Sequence, residues 1–184
     1  MTSSLTFSTT AADTWGTTSG INNSDTAFPF GTNAGVSAKV WIPFVVNLPR
    51  TVSISAATLR IVGSATRTET IAVRIGCEAA DNASAPADWT ALNAKSMSSA
   101  YTDTDIATNV NAGTEYSVDV TTAVQEIIAR SGWAYGNTLA ILVHNNGTPS
   151  GDFHGFASFD NVSYAEPKLD ITFQTYIPQS GGMF

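Results

Sequence analysis

Two histidines, His144 and His154, flank the turn at residues 145–151. On the two arms of a hairpin their imidazoles would approach each other. Metal sites usually need at least a third ligand, and Asp152 is the only carboxylate nearby. The pair therefore reads as polar residues at a loop mouth. A second pattern, Tyr101-Thr-Asp-Thr-Asp105, places carboxylates at alternate positions. Oxygen-rich loops of this kind can hold Ca²⁺. The full Asp-x-Asp-x-Asp-Gly loop is missing, so a solvated loop is expected. Asp119 lies between Val118 and Val120, just ahead of an expected helix. A negative charge there favours the helix N-terminus; a functional carboxylate is the alternative.

Nucleophilic chemistry finds no frame. Ser, His and Asp are all present, but no Gly-x-Ser-x-Gly elbow occurs, and Gly151-Asp-Phe-His-Gly155 carries no nucleophile. Nothing fixes a close acid pair or a triad. No enzyme activity, cofactor or metal is expected. Four tryptophans remain, at 15, 41, 89 and 133. Aromatic faces suit pyranose rings through apolar contact. Trp41 lies in an expected strand, so only Trp15, in a Thr/Gly-rich stretch, is read as free for a glycan contact.

The elements that must carry these residues are mostly strands. Val40, Ile42, Phe44 and Val46 alternate with Trp41 and Val45, Leu59 and Ile61 with Arg60, and Ile71, Val73 and Ile75 with Ala72 and Arg74. Tyr116, Val118 and Val120 repeat the pattern, and Leu169, Ile171 and Phe173 give a last strand. Period two places one row on a core and the other outward. Leu139-Ala-Ile-Leu-Val143 is nearly continuous and apolar, as a central strand buried on both faces requires. Turn residues separate these runs, as at Asn145-Asn-Gly-Thr-Pro-Ser-Gly151. Thr122 with Gln125 predicts a capping box, Val124, Ile127 and Ile128 a helical stripe, and Gly132 a left-handed stop. Residues 11–35 read as a long covering loop or a short edge strand. The expected core includes Phe44, Leu59, Val73, Ile75, Ile127, Ile141 and Phe173.

Composition bounds the function. The chain has 184 residues, which suits one domain by the usual ~100–200 residues each. Eight Lys and Arg against 15 Asp and Glu give a net charge of −7, a poor match to phosphate, so no nucleic-acid partner is expected. No run approaches the ~18 apolar residues of a membrane span. A lone cysteine, Cys77, cannot form an intrachain disulfide. Four Asn-x-Ser/Thr sequons, at Asn22, Asn82, Asn146 and Asn161, are expected by chance in a Ser/Thr-rich chain. The start, Met1-Thr-Ser-Ser-Leu-Thr-Phe, lacks the basic and apolar runs of a secretory signal, so synthesis in a cytoplasm without export by that route is expected.

Residues 39–61 resemble the opening of DNRLRE-type jelly-roll domains, with an apolar strand, Leu48-Pro49, and then Ser55-Ala-Ala-Thr-Leu-Arg-Ile61. Tyr116-Ser-Val-Asp-Val-Thr-Thr-Ala-Val-Gln125 is similar to that family's strand-into-helix segment. Trp133-Ala-Tyr-Gly-Asn-Thr-Leu-Ala-Ile-Leu142 resembles the segment that follows, and Phe156–Asp160 with Pro167–Ile171 resemble the closing pair of strands. The likeness runs from about residue 39 to 173 in preserved order. The charged motif that names the family is absent, and Trp41-Ile-Pro-Phe44 replaces an Arg-containing strand. The resemblance implies that Trp89 and Trp133 pack in the core.

Such domains occur in secreted surface proteins, in carbohydrate-binding-like modules and in bacteriophage structural proteins. The resemblance implies an all-β, jelly-roll-like antiparallel sandwich with one short α-helix. The family-like core at 39–173 is expected to lie within a single domain of residues 1–177, followed by a flexible tail at 178–184. The implied role is a non-enzymatic virion protein on a capsid or tail surface, with capsid or tail proteins, or further copies of itself, as partners. A carbohydrate-binding module or adhesin domain that holds cell-surface glycans is the alternative. Met183 and Phe184 at the end of the tail are candidate assembly contacts.

Overall fold

The computed structural model describes residues 2–106 and 110–174. Two antiparallel sheets form a β-sandwich. The first runs in the order β1 (Thr2–Ser8), β13 (Lys168–Gln174), β7 (Ser53–Val62), β10 (Glu115–Asp119). The second runs β3 (Gly20–Asn22), β2 (Thr14–Thr17), β6 (Lys39–Val45), β11 (Thr138–Asn145), β8 (Ile71–Glu78), β9 (Met97–Ile106). A third, short sheet of β12 (Phe153–Ala157), β4 (Ala27–Asn33) and β5 (Val36–Ser37) sets Phe28, Phe30 and Phe156 into the same core. The helices are α1 (Trp89–Asn93) and α2 (Thr121–Ile128). Among the described residues no helix is long and apolar enough to cross a membrane.

The period-two rows place the core. Val40, Ile42 and Phe44 of β6 stand in register with Val143, Ile141 and Leu139 of β11, and Leu59 of β7 with Leu169 of β13. All seven expected core residues are buried. β11 lies between β6 and β8, and its residues 139–143 are buried on both faces, as the continuous apolar run requires.

Trp41, on the row opposite Val40, Ile42 and Phe44, is packed rather than free, at 1% exposed. The segment between β8 and β9 folds over this outer face, and Leu92 of α1 and Ala83 pack with Trp41, Ala140 and Leu142 into a second, smaller cluster. The Trp41 indole N–H donates to Glu78 Oε2 at 2.7 Å, and Lys95 Nζ donates to the other Glu78 oxygen at 2.9 Å. Helix α1, which the sequence reading lacked, starts at Asp88, whose carboxylate accepts from the Ala91 N–H at 2.7 Å.

Helix α2 is confirmed, but its start and stop differ from the expectation. No capping box forms, because Gln125 turns away to accept from the Ile54 N–H at 2.6 Å. Asp119 holds the entry instead: its Oδ1 accepts from Thr121 N–H at 2.9 Å and from the Thr121 hydroxyl at 2.6 Å. Those bonds, the hydroxyl's first, hold the Asp119 carboxyl below its ordinary range. The Thr121 hydroxyl in turn accepts from Ala57 N–H, and Glu126 accepts from Ser99 and Ala100 N–H. Polar side chains of α2 thus satisfy backbone donors of both β7 and β9, and Ala123, Val124, Ile127 and Ile128 fill the gap beneath. Gly132 is not a left-handed stop: the helix closes at Ala129 with φ −76°, and Gly132 does not have a positive φ. A side chain at Gly132 would instead collide with the Asp81 carboxylate.

Candidate functional site

The outer face of the six-stranded sheet is covered at one end by α1 and open at the other. Beginning beneath α1, one cross-strand row runs from Gly16 through Lys39, His144 and Arg74 to Asp103, on β2, β6, β11, β8 and β9. Strand pairing makes each residue of this row the direct neighbour of the next. Three basic side chains therefore stand side by side on a protein of net charge −7.

Their charges are not equally compensated. Arg74 makes a two-pronged ion pair with Asp103, at 2.7 Å on each arm, and its guanidinium lies 3.9 Å from the Tyr101 ring centroid. Lys39 has no acidic partner among the described residues; its ammonium donates to the Asn93 carbonyl at 3.1 Å. Burial pushes the Lys39 ammonium below its ordinary value. His144 lies between the two cations. Burial first, then the Lys39 and Arg74 charges, push it down to about 4, so the ring is neutral at pH 7. Its Nε2 is inaccessible and has no hydrogen-bond partner among the described residues.

A cleft of about 470 Å³ opens above Lys39 and His144, with Trp89 and Asn93 of α1 on one wall and Ser37 and Asn145 on the other. Its volume falls within the ~300–1,000 Å³ of small-ligand clefts. Trp89 is half-buried against the Trp41 cluster rather than sealed in the core. Leu92, anchored in that cluster, fixes the helix that presents Trp89 and Asn93.

The other expected features lie elsewhere. Trp15 sits on β2 rather than in a loop, packed against the main core, and its indole N–H donates to Asp25 Oδ2 at 3.0 Å. It lines a separate cavity of about 260 Å³ with Asp25, Asn33, Ser64 and Phe153. His144 and His154 do not share a hairpin: β11 belongs to the six-stranded sheet, whereas β12 pairs with β4. His154 is 0% exposed, not a loop-mouth residue, because β12 closes one end of the core. Its Nε2 lies 2.7 Å from the Glu69 carbonyl, and burial lowers its pKa.

Tyr101–Asp105 is the middle of strand β9, not a loop, and Asp103 is spent on Arg74. No group of three or more His, Cys, Asp or Glu side chains placed to hold a metal ion occurs among the described residues. Trp133 is buried as the resemblance implied, its indole N–H donating to the Leu48 carbonyl at 2.9 Å. Met183 and Phe184 lie outside the described residues. The sequence reading missed the Lys39–Trp89 cleft. The alternation did place Lys39 and Trp41 on one face, but nothing local shows that α1 folds over it.

No family model matches the chain, and no curated protein matches it. Among solved structures, the chain is similar to one in an X-ray structure of tomato aspermy virus. The identity is 12% and the TM-score 0.32, over 100% of this chain and 81% of that one. The sandwich assignment rests on the strand pairing of this chain itself.

Proposed function

We propose that the protein is a non-enzymatic structural component of a bacteriophage virion, carried on the capsid or tail surface and assembled with virion proteins or with copies of itself. The observation that supports this reading is the edge strand β1. Its seven residues, Thr-Ser-Ser-Leu-Thr-Phe-Ser, pair with β13 along one side without a register shift. Among the described residues no strand pairs with its other side. Solitary proteins guard such edges with charge, proline or a bulge. β1 has no charged residue, no proline and no bulge, and Leu5 on it is 42% exposed. An unguarded edge is suited to strand addition by a neighbour. The segments between residues 39 and 173 that resemble DNRLRE-type domains agree with this role.

The test is to co-express the chain with capsid and tail proteins and to measure its incorporation into particles, together with its mass in solution by light scattering. Wild-type protein should enter particles or self-associate. Leu5→Lys, which places a charge on the edge, should reduce that association by about tenfold or more, with the melting temperature preserved. A wild-type protein that stays monomeric and outside particles would overturn the reading.

A second reading, a carbohydrate-binding module or adhesin domain, is favoured by the Lys39–Trp89 cleft. The two are compatible, since a virion surface protein can also hold host glycans.

A further inference from the structure

We propose that the cleft above Lys39 and His144 binds a saccharide bearing a carboxylate, of the uronic or sialic acid class. The inference rests on the carbohydrate reading and not on the virion reading. It adds the site and the charge of the ligand.

Lys39 is the unmatched cation of the row. Holding a half-buried ammonium without a counter-charge costs desolvation energy that one hydrogen bond to a carbonyl only partly offsets. In this row Asp103 neutralises Arg74 and nothing among the described residues neutralises Lys39. Two of its three N–H donors remain for a ligand. A single carboxylate matches one unpaired ammonium. A phosphate, with up to two charges, would face in this cleft, among the described residues, a single unpaired cation in a strongly acidic protein.

The walls select the rest of the ligand. Trp89 offers an aromatic surface at the mouth, suited to the apolar face of a pyranose ring. The Asn93 side-chain amide and the Thr18 hydroxyl border the cleft with no hydrogen-bond partner among the described residues, so both are open to sugar hydroxyls. Ser37 accepts from Asn145 at 3.0 Å, which leaves its own hydroxyl proton to donate. Neutral His144 forms the floor without adding a second competing charge. A cation, an aromatic surface and unspent amide and hydroxyl groups around one cavity describe a polyhydroxylated acid better than a peptide, which would need apolar side-chain pockets.

The experiment titrates the full chain with methyl glucuronide and with N-acetylneuraminic acid, each against a neutral partner, methyl glucoside and N-acetylgalactosamine. Binding is followed by calorimetry and by the indole and backbone NMR signals of residues 37–39, 89–93 and 144–145. At least one acid should bind saturably at those residues, about tenfold or more tighter than its neutral partner. Lys39→Gln should abolish that preference, and Asn93→Ala, at an exposed position, should weaken binding without touching the fold. Which acid binds identifies the source. Equal binding of acid and neutral sugars would overturn the acidic class and leave the carbohydrate reading standing. No saturable shift with any of the four would overturn both, and the virion reading would be untouched.

Discussion

The Asp13 carboxylate accepts a hydrogen bond from the backbone N–H of Phe159, with Oδ2 2.7 Å from the nitrogen. This bond ties the residue before β2 to the turn after β12, two segments remote in sequence. The same turn is held by Ser158, whose N–H donates to the Thr26 carbonyl at 3.2 Å. Asp13 is 2% exposed, and burial raises its carboxyl to about 6; the Phe159 bond opposes that rise, and the charges of Asp160 and Glu166 add to it.

A raised carboxyl pKa makes the folded chain bind a proton more tightly than the unfolded one, whose value is about 3.9. Asp13 therefore contributes stability that is fully present below about pH 4 and is lost as pH rises through about 6. Denaturant unfolding of wild type and Asp13→Asn at pH 4.5 and pH 7 isolates this group from the other carboxylates. The stability of wild type relative to the variant should fall by about 2 kcal/mol between the two pH values. Parallel pH dependence of the two proteins would rule out a buried, raised carboxyl.

Much of the sandwich was legible because its central strands obey a local rule. Phe44, Leu59, Val73 and Ile141 lie on period-two rows, and a row that faces a core needs no long-range information to be read. Strand β9 escaped because its alternation is Thr102 and Thr104 against Tyr101, Asp103 and Asp105. A polar edge strand lacks the apolar contrast and reads as an acidic loop. His154 was misplaced because its burial comes from β12 closing over β4, a contact set by residues more than a hundred positions away. Lys39, His144 and Arg74 were each visible, but their shared row depends on register between β6, β11 and β8, which hydrophobic patterning does not specify for polar residues.

The entry of α2 gives a second test. Asp119 caps the first turn, so Asp119→Ala should cost about 1 kcal/mol in urea unfolding. Gln125→Ala removes the acceptor of the part-buried Ile54 N–H and should cost about 1–3 kcal/mol. Thr122→Ala should stay within about 0.5 kcal/mol of wild type, since Thr122 is not the capping residue. A Thr122 variant as damaged as the Asp119 variant would restore the capping box.

Gln179-Ser-Gly-Gly-Met-Phe184 follows the described residues in the sequence. We propose it as an anchoring arm: the glycine pair gives reach, and Met183 and Phe184 supply an apolar plug for a pocket on a neighbouring protein. Among the described residues the main core is complete with Phe173, so deleting residues 179–184 should leave the melting temperature unchanged. The same deletion should lower incorporation into particles or oligomers, and Phe184→Ser alone should account for most of the loss, because a buried aromatic anchor is worth about 2 kcal/mol or more, some thirtyfold in affinity. If incorporation persists in the deleted protein and falls only with Leu5→Lys, the β1 edge is the assembly contact and the arm has no part in it.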